Sequence, residues 1–267
     1  MKYKLIASDL DGTLLNKQRS VSDKNISLIK GFIKSTNSQF CLVSGRPPYF
    51  IKDIADTINL GEKIRYLVGY NGAVVYDLIE DMPVFEEVFN SVYAFKIIEY
   101  FMQKDIKIVI FTEDKVYVNL DFEGVERYYG DKVVKLDTDN FNPSKHKIYK
   151  MSAFGFNPIL PNELLDMANF SFYNEHNGLV DSEISPKNIN KGGALNKICE
   201  LMSITLHEVL AFGDAANDVE MLKIAGHSVA PANVEMSARI AADEIDIRTN
   251  DENFVGEYLN SLIANNQ

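Results

Sequence analysis

Cysteine is scarce in this chain: Cys41 and Cys199 are the two in 267 residues, and they form no CxxC pair. Both lie in apolar runs, so two buried free thiols are expected. A disulfide between them is the lesser alternative, and a cytoplasmic setting fits. The four histidines, His146, His176, His207 and His227, show no metal-ligand spacing and read as surface or satisfied residues. Positive charge is also short. Lys and Arg number 27 against 38 Asp and Glu, a formal charge of −11, which argues against a nucleic-acid partner, although a local basic pocket can still take a small anion. Long apolar runs are missing too: no stretch approaches the ~18 residues of a membrane span. The opening MKYKLIASDLDG meets two acids too early for a signal peptide. No internal repeat or low-complexity segment is present.

What is there suits a folded domain. Hydrophobic residues make up 46% and charged residues 24%, and a prior of about 150 residues per domain suggests one large domain or two smaller ones. YKLIAS, QFCLVS and RYLVGY read as buried strands. Helical spacing separates them at Ile26, Ile29 and Ile33, and again at Ile51, Ile54 and Ile58. Strands alternating with helices imply crossovers and a parallel sheet. From about Met82 to Glu183 the pattern changes to strand-like runs, PVFEEVF, IKIVIFT, KVYVN, HKIYKMSAF and FSFYN, around the helix SVYAFKIIEYFMQ. This reads as an α+β insertion with its own sheet, open on one side at KVYVN. The α/β pattern resumes after Ser185-Pro186, with Asn190 as a helix cap and HEVLAFGD as a strand ending in an acid. The expected architecture is therefore a doubly wound, Rossmann-like core of residues 1–81 and 186–267, with residues 82–185 inserted.

Polar clusters follow the core strands: Asp9 and Asp11, then Ser44, then Asp214 with Asn217 and Asp218. In open parallel sheets ligands bind at that edge. Buried carboxylates are costly without a partner. Asp9, Asp11 and Asp214, with no His or Cys nearby, suit a hard, oxygen-seeking cation, best Mg²⁺. A calcium loop does not fit, since counting from Asp9 puts Thr13 fifth, Leu14 sixth and Ser20 twelfth. An Asp-Gly turn is the bland reading, weakened by the second acid at Gly213-Asp214. Ser44 beside the Gly45 amide at a helix start is a natural place for a phosphate oxygen, with a plain helix cap as its alternative. Lys191 can neutralise phosphate, although a lone lysine is more often a surface residue. Alternate strand residues share a side, so Asp9 and Asp11 can address one site.

Together Asp9-Leu10-Asp11-Gly12-Thr13, Ser44 in LVSGR, Lys191 in KGGAL and GDAANDVEML from Gly213 to Leu222 resemble the haloacid dehalogenase superfamily of phosphohydrolases. NGAVVYD, EISPKNINKGGAL and APANV look like its Cof-type branch, whose α/β cap lies between the second and third motifs. Ser44 stands where many relatives carry Thr. SPKNINKGG offers Lys187 as well as Lys191, and Lys191 matches better because Gly192 follows it. The resemblance implies phosphatase chemistry on a small phosphate ester, such as a sugar phosphate, nucleotide or phosphorylated cofactor. Asp9 would be the nucleophile and Asp11 the proton donor and acceptor. Mg²⁺ would be held by Asp9, the Asp11 carbonyl and Asp214. Ser44, the Gly45 amide, Lys191 and Asn217 would hold phosphate oxygens, while Asp218 would ligate the metal directly or through water, orient Lys191, or serve only as the first-turn acid of the helix VEML, which the helix dipole favours. The cap would close over the site. Its tyrosines, Tyr93, Tyr100, Tyr117, Tyr128, Tyr129, Tyr149 and Tyr173, read first as packing residues. A phosphomutase and a non-catalytic phospho-ligand sensor are the other readings, the sensor disfavoured because all the catalytic acids are present. A monomer or small homo-oligomer is expected.

Overall fold

The structure, a computed structural model, describes residues 2–137 and 140–264. In chain order, β1 (Leu5–Ser8), α1 (Asp23–Thr36), β2 (Gln39–Val43), α2 (Pro48–Ile58), β3 (Tyr66–Gly69), β4 (Val74–Asp77) and β5 (Met82–Glu86) come first. The middle holds α3 (Ser91–Met102), β6 (Lys107–Phe111), β7 (Val116–Val118), α4 (Phe122–Tyr129), β8 (Val133–Lys135), β9 (Lys150–Phe156), α5 (Asn162–Met167), β10 (Ala168–His176) and β11 (Leu179–Pro186). The last part carries α6 (Lys191–Met202), β12 (Val209–Phe212), α7 (Val219–Ile224), β13 (His227–Ala230), α8 (Met236–Ala241), β14 (Glu244–Ile245) and α9 (Phe254–Ala264).

Contacts divide the chain into one unit of Met1–Glu86 with Asn190–Gln267 and another of Glu87–Ile189. The first is built on a sheet of order β14-β13-β12-β1-β2-β3-β4-β5. Its strands run parallel from β14 to β3, and β4 and β5 are added antiparallel. Local sequence explains the helices between them. Ser22 caps α1 by accepting from the Asn25 amide at 3.1 Å, and Asn37 ends it in the left-handed region. Pro48 opens α2, where its missing N–H costs nothing.

Strand alternation then sorts two cores. Ile6, Phe40, Leu42, Leu210 and Phe212 pack under α1, α2 and α9, while Leu5, Ala7, Cys41, Val43 and Ala211 pack under α6, α7 and α8. Helices cover both faces, as the α/β pattern requires. Both cysteines are buried and free. From β1 the chain winds outward through β2 and β3, and on its return it lays β12 on the other side of β1. That reversal is the switch point, where the loops leaving β1 and β12 part and open a crevice.

The inserted unit has a sheet of order β10-β11-β9-β6-β7-β8, antiparallel except for β7 with β8. Ile108, Ile110, Met151 and Ala153 pack against Ile97, Phe101, Leu164 and Met167 of α3 and α5. Two expectations need correction. PVFEEVF does not open the insertion: Met82–Glu86 pairs antiparallel with β4 as the core sheet's edge strand. A hairpin of that kind looks the same in sequence whichever sheet it extends. At KVYVN the sheet is not open, since Val116 and Val118 are buried, α4 packs on β7 and β8, and Tyr117 packs toward the α3 side.

Near the core sheet's edge, Asp77 is nearly fully buried and accepts from Arg65 Nε and Nη2, both at 2.9 Å, and from the Ile79 and Glu80 amides. Burial pushes its carboxyl up, but the Arg65 fork and the amides outweigh it and hold the group below its ordinary 3.8. A depressed carboxylate stabilises above the unfolded value and loses that contribution as pH falls through the folded one. Asp77→Asn is therefore expected to melt below wild type at neutral pH. In melts run across pH, the gap should close as pH falls through the depressed folded value of Asp77.

Candidate active site

β1 stops at Ser8, so Asp9 and Asp11 lie in the loop beyond it, and strand alternation does not aim them. The loop separates them instead. Asp9 is pinned by its amide, which donates to the Phe212 carbonyl of β12 at 2.9 Å, and its side chain is buried. Asp11 turns outward: its backbone makes an isolated bridge with Leu15, and its carboxylate takes a fork from Arg46, with Nε at 2.7 Å. Gly12 makes this turn possible. Its φ is +84°, and a Cβ there would sit 2.2 Å from Asp214 Oδ2. Thr13 Oγ1 donates to Asp214 Oδ1 at 2.7 Å, tying the first acidic loop to the second.

Across the switch point, Asp214 and Asp218 follow β12. The Asp218 carboxylate closes its own loop, with Oδ2 accepting from the Asp214 and Ala215 amides at 2.9 and 3.0 Å. Gly213 lets it come close, because a Cβ there would lie 2.6 Å from that of Asp218. Lys191 enters from the first turn of α6, whose cap Asn190 accepts from the Gly193 amide at 2.8 Å. No part of Lys191 is exposed. Its Nζ donates to Asp9 Oδ1 and to Asp218 Oδ1, both at 2.6 Å. Lys187 lies in the inserted unit and donates to the Leu165 carbonyl.

Ser44, Gly45 and Asn217, the residues expected on the phosphate side, sit on neighbouring loops. Ser44 is buried just past β2, its Oγ accepting from the Arg46 amide at 3.2 Å. It does not cap α2, because Pro47 stands at that position. Gly45 lies between them, half-buried. Asn217 Nδ2 donates to Asn71 Oδ1 at 3.1 Å. Asn71 in turn is held at φ +58° with its amide on the Ser44 carbonyl at 3.0 Å. Gly72 after it, also at positive φ, abuts the Asn190 carbonyl. The Tyr70-Asn71-Gly72 turn thus braces the loops that carry Ser44, Asn217 and Lys191. Asn71→Gly and Asn71→Ala are expected to lower kcat/KM alike, about tenfold, by releasing Asn217. Alanine should cost about 1 kcal/mol more stability than glycine, because only glycine accepts positive φ freely. Paired kinetics and chemical melts of the two variants separate the effects.

Asp9, Asp214 and Asp218 bring carboxylate oxygens within 4.8 Å of one another, all buried. One ammonium faces three acids. Burial, with the Asp218 charge, pushes Asp214 up to about 7 against the pull of Thr13 and Lys191, and burial drives Asp9 up as well. Burial would lower Lys191, but Asp218 and Asp9 outweigh it and the lysine stays charged. Such a site carries more negative charge than its own groups can bear. An all-oxygen donor set with that excess fits a hard divalent cation.

A family model described as haloacid dehalogenase-like hydrolase matches residues 6–259. The chain is a haloacid dehalogenase-like hydrolase. Its α+β insertion between Ser44 and Lys191 marks the Cof-type branch of these hydrolases. It is similar to the 5-amino-6-(5-phospho-D-ribitylamino)uracil phosphatase YwtE of Bacillus subtilis (strain 168), 25% identical over 98% of each chain. Phosphatase YwpJ of the same organism is 25% identical, covering 97% of this chain and all of its own. Among solved structures, a haloacid dehalogenase-like hydrolase from Bacteroides thetaiotaomicron superposes with a TM-score of 0.81, at 26% identity over 98% of this chain and 100% of that one. A divalent metal is usual in haloacid dehalogenase-like hydrolases, and a buried acid trio is present here. Among the described residues no helix is long and apolar enough to cross a membrane.

Sequence reasoning did not pick out two residues that the structure places against the candidate site, Arg46 on Asp11 and Asn71 on Asn217. Arg46 was only the residue after Gly45, and Asn71 only half of a turn signal. The sole available hint was Asn71 itself, since Asn before Gly tolerates left-handed backbone.

Proposed function

We propose that this hydrolase is a Mg²⁺-dependent phosphatase of small phosphorylated metabolites, working through an aspartyl phosphate on Asp9. The observation that supports this most is the Asp9–Lys191–Asp218 chain, buried beside Asp214 at the switch point of the sheet. Asp9, Asp214 and the Asp11 carbonyl would hold the cation, which when bound supplies positive charge against the phosphate and the acids around it.

Asp9 attacks phosphorus, a bond to its carboxylate oxygen forms, and the bond to the leaving oxygen breaks. Asp11 gives that oxygen a proton. Water then attacks phosphorus, Asp11 takes the water's proton, and Asp9 is freed with inorganic phosphate. Ser44 Oγ–H, the Gly45 amide, Lys191 and the remaining Asn217 N–H neutralise the equatorial oxygens as charge shifts. Asp218 serves Lys191: one of its oxygens holds the ammonium and the other is occupied by two amides. YwtE acts on a ribityl phosphate by name, which supports phosphorylated sugars and related cofactors as the class to try first.

The test is phosphate release over a panel of sugar phosphates, nucleotides and phosphorylated cofactors. Activity is expected on several, lost in EDTA and restored by Mg²⁺. Turnover that persisted undiminished in EDTA would sink the metal dependence, and no turnover on any ester would sink the phosphatase.

A further inference from the structure

Asp11 presents a problem that the fold has to solve. A proton donor must stay within hydrogen-bond reach of the leaving oxygen, yet the Asp11 side chain is 53% exposed on a loop. Its backbone is fixed at Leu15, but that leaves the carboxyl free to turn. Arg46 supplies the missing constraint. Nε and Nη2 grip the two carboxylate oxygens separately, in the bidentate geometry that fixes both position and plane.

The arginine is itself well placed to hold. It is 16% exposed, its amide donates to Ser44 Oγ, and its carbonyl accepts from the Tyr70 amide at 3.0 Å. Through it the carboxyl of the first loop is referenced to the Ser44 loop. A lysine at this point could not fix the plane, because its ammonium is a point charge.

We propose that Arg46 is the positioning residue for proton delivery by Asp11, and that it thereby tunes the enzyme for alkyl phosphates, whose alkoxide leaving groups need a proton. This rests on the proton-donor role given to Asp11 above. The two-point fork is the form the pair takes when Asp11 is ionised, after its proton has gone to the leaving oxygen; the proton taken from the attacking water then regenerates the acid, which stays on Arg46 through one oxygen, so Arg46 neither gains nor loses a proton.

The experiment compares D-ribose 5-phosphate with p-nitrophenyl phosphate, whose leaving group departs as a stable anion. The readout is kcat/KM, which covers steps up to leaving-group departure. Arg46→Met is expected to lower it at least about 30-fold on ribose 5-phosphate and less than about threefold on p-nitrophenyl phosphate, a part of the 10²–10⁴ that general acids contribute. Arg46→Lys should recover some of the loss and guards against a variant that merely misfolds. Asp11→Asn should show the same selectivity, and adding Arg46→Met to it should cost nothing further. Equal losses on both esters from Arg46→Met would overturn the proposal, as would a further loss in the Asp11→Asn background. If Asp11→Asn spares ribose 5-phosphate, the proton-donor role itself is wrong. If wild type turns over neither ester, the alkyl ester is the best substrate of the panel above and an aryl phosphate it accepts is the comparison; a wild type inactive on every ester of that panel overturns the phosphatase reading and this inference with it.

Discussion

Asp9→Asn is expected to abolish phosphate release, by at least ~10⁴-fold on any substrate, and to make the metal-free protein more stable at the same time. The two effects have one cause. Asp9 is buried with Asp214 and Asp218 around a single ammonium, and burial drives its carboxyl well above the ordinary range. Asparagine keeps an oxygen for Lys191 but carries no charge and cannot attack phosphorus. A carboxyl whose folded pKa is raised destabilises the fold as pH climbs from its unfolded value toward the folded one, because the native state gives up the proton later. The stability advantage of Asp9→Asn should therefore be small at pH 4 and larger at pH 8, read by thermal melts in EDTA. Added Mg²⁺ should narrow it, since a cation relieves the wild type more than the variant. A wild type that stayed the more stable at pH 8 without metal would mean that the acids are not in excess.

That trade-off also explains why so much of the site could be read from one chain. Carboxylates at the ends of apolar strands announce themselves, because nothing in folding calls for them there. Asp9, Asp214 and Asp218 are each a few residues beyond a buried strand, and parallel topology does the rest by bringing β1 and β12 together. Lys191 was legible by type and by its Gly192 neighbour. Its total burial was not, since that comes from Asp9 and Asp218, which reach it from other loops.

Arg46 and Asn71 were hidden for a related reason. Their importance lies in where a loop turns, and loop geometry is set by tertiary contacts such as the Ser44 carbonyl on the Asn71 amide. The same limit misplaced β5. Its residues alternate as a strand in either sheet, and only pairing with β4 decides which one it joins. Alternation in KVYVN likewise gave the period correctly but not the helix α4 that covers its far side.

Lys191→Met is expected to be the most destabilising single change in the core. The ammonium is wholly enclosed and makes 2.6 Å contacts to two acids. Removing one member of a buried ion cluster leaves the others uncompensated, at about 3–5 kcal/mol. At roughly 2–4 °C per kcal/mol for a chain of this size, the melting point should fall by about 10 °C. Burial opposes the charge on Lys191, but Asp218 and Asp9 more than offset it and hold its pKa above the ordinary 10.5. A raised lysine contributes fully below its unfolded value and loses that contribution only as pH passes the folded one. The loss in Lys191→Met should hence persist undiminished at pH 7 and at pH 9. Activity should vanish too, and a second substitution tells the two losses apart. In Lys191→Met/Asp218→Asn one orphaned acid is gone, so much of the stability should return while phosphate release does not. Mg²⁺ should raise the melting point of Lys191→Met more than that of wild type, because the cation meets acids that no ammonium neutralises. If the double variant regained activity along with stability, Lys191 would be a structural counter-charge and nothing more.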